Sequence, residues 1–235
     1  YDNNTKKTIE LLNICKKSRV KNFIFSSTAA VYGNSTSSLL KEDNKCCPIN
    51  PYGKSKLMCE DIIKDLHQSG IKTIILRYFN VAGADKKLRT GQIIKPATHL
   101  ISKLCEVALN QNLTFEIFGT DYNTKDGTCI RDYIHITDLI EAHINSLDYI
   151  NNGGESDVFN VGYGEGFSVK EILFSMERLL NQKFKIKHSN RREGDVPQVV
   201  ANNKKIISKI KWKPKFNNIE EILSDSYNWE KMKNF

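Results

Sequence analysis

The segment Tyr52-Gly53-Lys54-Ser55-Lys56 places a phenol and an ammonium group four residues apart. If the segment is helical, the two side chains share one face, because residues i and i+4 of a helix are neighbours. A fixed positive charge beside a tyrosine favours the ionised phenol, so Tyr52 could act as a general base. Tyrosine and lysine also occur at this spacing by chance in exposed helices, so other motifs must decide between the two interpretations.

The flanking sequence predicts the elements that position this pair. Apolar residues at helical spacing alternate with short apolar runs. They predict a helix over Thr5 to Ser18, a strand at Phe23 to Phe25, a helix over Tyr52 to Gln68 and a strand over Ile71 to Leu76. This order is typical of a βαβ unit in a parallel sheet, where ligands bind beyond the carboxyl ends of the strands. Thr28 lies at such an end.

Shorter elements follow in the second part of the chain. The pattern predicts helices near 99–110, 137–150, 168–181 and 219–229, and strands at 115–118, 158–161 and 184–186. We expect a soft domain boundary between residues 84 and 95. The sequence therefore predicts an α/β fold with a partial parallel-sheet domain over residues 1–90. Residues 91–235 are expected to form mainly a smaller mixed α/β substrate lobe, with some chain returning to the first domain.

Composition excludes several classes of protein. No apolar run is long enough to span a bilayer. The six cysteines are scattered without a CxxC pair, which indicates reduced thiols in a cytoplasmic protein and no metal site. The formal charge of +8 is densest between Asn202 and Lys215. No nucleic-acid-binding motif accompanies these lysines, so we expect a solvated face and neither a nucleic-acid nor a membrane partner.

Six segments in order carry a family resemblance. They are FIFSSTAAVYG at 23–33, NPYGKSK at 50–56, LRYFNVAG at 76–83, GTCIRDYIH at 127–135, VFNVG at 158–162 and RREGDVP at 191–197. Together they resemble the UDP-glucose 4-epimerases of the extended short-chain dehydrogenase/reductase superfamily. The resemblance implies that residues 1–90 are part of a Rossmann-like NAD-binding domain and that residues 91–235 bind mainly the UDP-sugar.

The resemblance also implies a chemistry for the Tyr52 segment. In such an epimerase Tyr52 is the base for the sugar C4 hydroxyl, Lys56 supports the phenolate and bonds the nicotinamide ribose, and Thr28 bonds the reacting oxygen. Asn3 and Phe79 match further NAD contacts. Related 4,6-dehydratases carry an aspartate and a glutamate after the Thr28 position, whereas this chain has Ala29 and Ala30. Epimerisation is therefore favoured over dehydration, while decarboxylating and reducing relatives are less clearly excluded.

The substrate contacts implied by the resemblance lie in the second lobe. Asn80, His99 and Leu100 are expected to meet the diphosphate or the sugar. Glu116 and Phe118 flank the uracil, Arg131 and Arg192 bind phosphate oxygens, and Asp195 bonds a ribose hydroxyl. Val199 occupies a position where some relatives have a tyrosine that narrows the sugar pocket. We therefore expect a roomier pocket that also accepts UDP-GlcNAc and UDP-GalNAc.

One family feature is missing from the sequence. The glycine fingerprint G-x-G-x-x-G is absent, and the glycine-rich run at 162–166 follows the wrong strand with the wrong spacing. Tyr1 to Asn4 resembles an internal segment of the family, so we expect preceding βα units to be absent from this chain. Two functions remain open, an NAD-dependent UDP-sugar 4-epimerase and a non-catalytic nucleotide-sugar-binding fragment. The resemblance also predicts a homodimer through the helices at 5–18 and 52–68.

Overall fold

The structure, a computed structural model, describes residues 1–66, 70–94 and 96–233. In chain order its strands are β1 Asn22–Thr28, β2 Lys72–Tyr78, β3 Asn80–Ala82, β4 Phe115–Phe118, β5 Ile130–Arg131, β6 Tyr133–His135, β7 Asp157–Val161, β8 Phe167–Ser168, β9 Ile186–Ser189 and β10 Gln198–Val199. Its α-helices are α1 Lys7–Lys17, α2 Pro51–Asp65, α3 Leu100–Leu109, α4 Ile136–Asn151, α5 Val169–Leu180, α6 Lys204–Ile210 and α7 Ile219–Lys233.

The chain divides into two compact units. Unit 1 comprises Tyr1–Phe79, Ile140–Gly164 and Ala201–Lys213. Unit 2 comprises Asn80–Leu139, Glu165–Val200 and Pro214–Phe235. Within the described residues, no helix combines the length and the apolar character needed to cross a lipid bilayer.

A parallel sheet in the order β1, β2, β7 forms the centre of unit 1. Helices α1 and α2 pack against each other, and α2 packs on β1 and β2. Apolar side chains fill the space between them, with Leu12, Phe25, Cys59, Ile63 and Ile75 as a buried cluster. The register pairs Thr28 with Tyr78, and Tyr78 with Val161, so the carboxyl ends of all three strands meet at one edge. The predicted βαβ arrangement is confirmed.

The helix predicted over Tyr52 to Gln68 is α2, which begins at Pro51 and ends at Asp65. Residues 67–69 lie outside the described residues, and the predicted end at Gln68 falls among them. Asn50 caps the start, because its side-chain oxygen accepts a hydrogen bond from Gly53 N at 2.8 Å. Proline is favourable at the first helical position, where its missing N–H costs nothing.

The described part of unit 2 contains short sheets packed with helices. The sheets are β3–β6, β4–β9 and β10–β5–β8, and helices α3, α5 and α7 pack against one another. Helix α5 begins with a full capping box between Ser168 and Glu171. The helix predicted over 168–181 is therefore confirmed, with Ser168 as its N-cap.

The strand predicted at 184–186 is wrong in its position, because β9 begins only at Ile186. Phe184 is buried, and its N–H donates to the Glu177 carboxylate at 3.1 Å. This bond holds Phe184 at the end of α5, so the ladder with β4 starts where Ile186 pairs with Phe115. A bond to Glu177, in the preceding helix α5, thus accounts for the later start of the strand.

Candidate functional site

Close backbone packing places the start of α2 beside the end of β1. A β-carbon added at Gly53 would lie 2.5 Å from the carbonyl oxygen of Ala30, in the short 3₁₀ turn that follows Thr28. Only glycine permits this approach, since the obstacle is backbone and cannot rotate away. Tyr52 precedes this glycine, so the Gly53 contact fixes where the phenol leaves the helix. The Tyr52 side chain is half-exposed, with 51% of its surface accessible.

Lys56 lies one turn after Tyr52 and points back to β1. Its Nζ donates a hydrogen bond to the carbonyl oxygen of Ser26 at 3.0 Å and lies 4.9 Å from the centroid of the Phe25 ring. Burial lowers the pKa of Lys56 below its ordinary value, because a partly desolvated ammonium is disfavoured. The ammonium is therefore held at the carboxyl end of the strand that leads to Thr28.

Thr28 ends β1 and caps the turn that follows. Its Oγ1 accepts a hydrogen bond from Ala30 N at 3.2 Å. This is the ordinary structural use of a threonine at a strand end, and the half-buried hydroxyl keeps its own proton to donate. The predicted hydroxyl is thus oriented by the backbone of Ala30.

The other two predicted cofactor contacts also belong to unit 1. Asn3 is exposed in a π-helical turn at Asp2–Lys6. The neighbouring Asn4, not Asn3, bonds to α2, through Nδ2 and the hydroxyl of Ser55 at 2.9 Å. Phe79 is buried directly after β2, and its N–H donates to the carbonyl of Val161 at 3.2 Å.

Tyr78 is a site residue that the sequence analysis missed. It is the last residue of β2 and the register partner of Thr28. Its hydroxyl donates to the hydroxyl of Ser26 and lies 2.7 Å from Nε2 of His143. Burial raises the pKa of Tyr78 to about 12; the hydrogen bond to Ser26 opposes this shift, and the electrostatic interaction with Tyr52 adds to it. Its place at a strand end next to Thr28 was the available signal.

In unit 2, the start of α3 gathers three predicted residues. His99 is the N-cap position and makes no side-chain cap bond. Asn80, at the start of β3, lines a small cleft of about 30 Å³ together with His99 and Leu100. The first N–H groups of a helix carry partial positive charge, so this end of α3 favours an anion.

Leu100 also lines a larger cavity of about 500 Å³. Five predicted residues line it, which are Leu100, Glu116, Phe118, Arg192 and Asp195. A cavity of this size fits the range of small-molecule sites. Lys103 and Cys129 also line it and were missed. Lys103 belongs to no motif, whereas Cys129 lies in the segment at 127–135, from which only Arg131 was predicted to bind substrate. Lys103 lies one turn into α3, where helical spacing was the one signal that pointed to it.

Charged and aromatic groups meet at this cavity. The guanidinium carbon of Arg192 lies 3.7 Å from the centroid of the Phe118 ring, a cation–π contact. Glu116 accepts hydrogen bonds from the hydroxyl of Ser189 and, at 3.1 Å, pairs with Nζ of Lys187. The Ser189 bond, followed by the Lys187 bond, lowers the pKa of Glu116, so this carboxylate is ionised.

Arg131 and Val199 are joined through strand pairing. Val199 is the register partner of Arg131 in the β10–β5 ladder. Nη2 of Arg131 lies 3.4 Å from Oδ1 of Asp195, and Nη1 donates to the carbonyl of Ile130 at 2.9 Å. The structure therefore brings Arg131 to the Asp195 side of the cavity, although neither Arg131 nor Val199 is among its lining residues.

Within residues 1–66, 70–94 and 96–233, no group of three His, Cys, Asp or Glu side chains could hold a metal ion. All six cysteines are free thiols.

The chain matches known proteins over most of its length. Residues 1–162 match the family described as "NAD dependent epimerase/dehydratase family". The chain is 44% identical to a UDP-glucose 4-epimerase of Azospirillum brasilense over 232 residues, which cover 98% of this chain and 67% of that protein.

Two solved structures are also similar. A UDP-glucose 4-epimerase from Bifidobacterium longum in complex with NAD+ and UDP superposes with a TM-score of 0.93 at 34% identity, covering 100% of this chain and 70% of that chain. The UDP-Glc/GlcNAc 4-epimerase of Campylobacter jejuni superposes with a TM-score of 0.81 at 45% identity, covering 98% and 70%. The predicted fold class, with part of a Rossmann-like sheet, is confirmed. The chain therefore belongs to the NAD dependent epimerase/dehydratase family and, within it, to the UDP-glucose 4-epimerases.

Proposed function

We propose that this chain is an NAD-dependent UDP-sugar 4-epimerase that interconverts UDP-glucose and UDP-galactose through a 4-keto sugar. The observation that carries the proposal is the position of Lys56. In a chain that belongs to this family, the ammonium one turn after Tyr52 is held on the Ser26 carbonyl, two residues before Thr28. A base, a cation and a hydroxyl are the groups that removal of a hydroxyl proton requires.

Each of the three residues has a defined role in this proposal. Tyr52 takes the proton of the C4 hydroxyl and later returns it to the C4 oxygen. Lys56 stabilises the negative charge on the Tyr52 oxygen, and its partial desolvation strengthens that interaction. Thr28 donates its hydroxyl proton toward the reacting oxygen, while Ala30 N occupies one of its lone pairs. Bound NAD supplies the hydride acceptor for C4.

The residues of unit 1 fit one end of NAD. An ammonium, a hydroxyl and a buried phenyl ring, from Lys56, Thr28 and Phe79, suit a ribose hydroxyl and a nicotinamide ring, and Asn3 supplies an exposed amide. The glycine-rich run at 162–166 follows β7, and only Gly164 in it has a positive φ, of 78°. This run does not have the spacing of the fingerprint that binds the pyrophosphate of NAD. We therefore assign the unit 1 residues to the nicotinamide riboside end alone.

The uridine diphosphate part of the substrate is assigned to unit 2. Arg192 and Arg131 would donate paired hydrogen bonds to phosphate oxygens, as planar guanidinium groups do. The start of α3 at His99 and Leu100, with Asn80 beside it, would add backbone N–H donors. Glu116 and Phe118 would flank the uracil, and Asp195 would accept from a ribose hydroxyl in the cavity of about 500 Å³.

Val199 suggests a wider substrate range. Its side chain is half-buried and small, and the C. jejuni relative of this chain is named a UDP-Glc/GlcNAc 4-epimerase. We propose that the chain also interconverts UDP-GlcNAc and UDP-GalNAc. Comparable turnover of both substrate pairs supports this; turnover of UDP-glucose and UDP-galactose alone contradicts it.

We also propose a homodimer that forms through α1 and α2 in a reducing, cytoplasmic compartment. Large apolar side chains are exposed on both helices, among them Ile9, Leu11 and Ile14 of α1 and Met58 of α2. Exposed apolar groups clustered on packed helices are typical of interfaces. Sedimentation equilibrium should show a dimer for the unaltered chain and a monomer for Ile14→Lys; two monomeric samples contradict the proposal.

The alternative function, a non-catalytic nucleotide-sugar-binding chain, is not favoured, because the similar proteins are themselves named epimerases. Separate calorimetric titrations with NAD and with UDP distinguish the two functions. An epimerase binds both and converts UDP-galactose to UDP-glucose, which proton NMR follows directly. Binding of UDP without NAD, together with no conversion, would support the alternative.

A further inference from the structure

A buried ion pair lies behind the proposed catalytic residues of unit 1. Arg77 is 3% exposed and Glu60 is fully buried. The guanidinium binds the carboxylate with two parallel bonds, from Nε to Oε1 at 3.0 Å and from Nη2 to Oε2 at 2.7 Å. Nη1 of Arg77 donates in addition to the Tyr32 hydroxyl at 2.9 Å. All three nitrogens of this guanidinium thus donate to protein groups.

Stability is a poor reason for such a pair. Removing two charges from water costs several kcal/mol, and apolar side chains of similar volume often stabilise a protein as well or better. The pair can nevertheless fix a geometry, because a bidentate bond tolerates little rotation or sliding.

We consider the position of α2 on β1 to be the geometry that this pair fixes. Tyr52, Lys56 and Glu60 follow one another at four-residue spacing and therefore share one face of the helix. The Ser27 hydroxyl donates to Oε1 of Glu60, while Lys56 donates to the carbonyl of Ser26. Two consecutive turns of α2 are thus bonded to two consecutive residues of β1, next to Thr28.

Resting on the proposed function, we propose that Glu60, held by Arg77, is a positioning residue for the epimerase reaction. It sets the rotation and the axial register of α2 on β1, so that Tyr52 and Lys56 face Thr28. Helical side chains turn by about 100° and advance about 1.5 Å per residue, so a small slip of α2 moves both groups. Misplacement of a reacting group by about 1 Å can cost on the order of 100-fold in rate.

The main test is the double variant Glu60→Leu/Arg77→Met, which replaces both charges with apolar groups. We expect cooperative thermal unfolding close to that of the unaltered chain, with kcat lowered roughly 10- to 100-fold and KM changed less than about threefold. Glu60→Gln alone is the second variant. Its kcat is expressed per folded molecule, with the folded fraction taken from near-ultraviolet circular dichroism. Asp61→Asn, the next residue on α2, is the matched control, because its ion pair with Lys64 is exposed.

A second readout does not depend on catalysis. Burial lowers the pKa of Lys56, so loss of the helix register should expose it and raise that pKa. Competitive acetylation followed by mass spectrometry should show Lys56 labelled only at higher pH in the double variant, relative to the exposed Lys54 of the same helix. Unchanged labelling and unchanged kcat in a folded double variant would overturn the proposal.

The labelling also separates this inference from the proposed function. A chain that shows no epimerase activity in any form contradicts the proposed function. In that case a shift of Lys56 labelling in the double variant still supports positioning by Glu60, and an unshifted profile still refutes it. Should the double variant fail to fold, the same labelling of folded Glu60→Gln gives the answer.

Discussion

The chemistry-bearing residues of the two units are held in different ways. In unit 1 they stand on the seven-residue strand β1 and the 15-residue helix α2, which are joined by the bond from Ser27 to Glu60. Glu60 is also paired with the buried Arg77 of β2. In unit 2 several residues that we propose to bind the substrate stand on short elements, such as the two-residue strands that carry Arg131 and Val199. Their charges pair near the surface, with Arg131 and Asp195 3.4 Å apart.

This difference matches two physical tasks. A proton transfer needs atoms placed to a fraction of an ångström, which long, buried elements provide. Ligand binding needs charges that can exchange one partner for another. Ion pairs at a protein surface are typically worth about 1 kcal/mol or less. Small substitutions in unit 1 should therefore lower kcat strongly. Substitutions in unit 2 should weaken UDP binding by moderate amounts.

The largest expected effect is that of Tyr52→Phe in unit 1, which removes one oxygen atom. We expect kcat for UDP-galactose to fall roughly 10²- to 10⁴-fold, because the base is lost, while UDP affinity in unit 2 stays within about twofold. Proton NMR gives the rate and calorimetry gives the affinity. Tyr227→Phe, on α7, is the control and should change neither. Full activity of Tyr52→Phe would refute the mechanism.

Arg192→Ala tests the graded response of unit 2. Loss of a guanidinium at the cavity should weaken UDP binding roughly 10- to 100-fold, because a charge-assisted, paired contact disappears, and kcat at saturating substrate should change little. Arg178→Ala is matched to it, since Arg178 is an exposed arginine paired with Glu220 on the surface. Equal affinity in the two variants would remove Arg192 from the binding site.

Gly53→Ala tests whether the close contact between α2 and the Ala30 backbone supports stability and catalysis in unit 1. The added methyl group would meet the Ala30 carbonyl oxygen at 2.5 Å, so α2 must shift. We expect a loss of about 1–3 kcal/mol in the free energy of unfolding, with kcat reduced. Gly70→Ala is the control, because nothing lies within 4 Å of the added carbon and only its φ of +78° opposes the change. Urea titrations compare the two, and equal kcat in both would show that the contact has no part in catalysis.

Val199→Tyr tests the size of the sugar pocket. A bulky ring on β10 should lower kcat/KM for UDP-GlcNAc roughly tenfold relative to UDP-glucose, the scale expected for a steric change in a pocket. Val199→Ala is the matched variant and should leave this ratio unchanged. An unaltered preference in Val199→Tyr would remove the argument for a broad substrate range.

The smallest expected effect concerns Tyr78. Burial raises its pKa from 10.0 to about 12, so its neutral form stabilises the folded state fully below pH 10 and loses that contribution as the pH rises to about 12. The urea midpoint should therefore fall with pH over this window less steeply in Tyr78→Phe than in the unaltered chain. Tyr1→Phe, an exposed phenol, should leave the slope unchanged. Parallel slopes for Tyr78→Phe would contradict the shift.

Sequence reasoning worked best where one element dictates its own form. The apolar run that became β2 and the Ser168 box that starts α5 both carry local signals. The two- and three-residue strands β3, β5, β6, β8 and β10 were not predicted. Such strands are too short for an alternating pattern, and only their partners across the sheet define them.

The sequence by itself determined the residue types and spacing that chemistry requires. Tyr52 and Lys56 share a helix face because their spacing is four, and the ordered motifs around them carry the family resemblance. The tertiary structure alone decided what holds that face in place. Glu60 and Arg77 are 17 residues apart, and their pairing depends on how α2 packs on β1 and β2. No local pattern predicts that contact, because burial and distance arise only when distant segments meet.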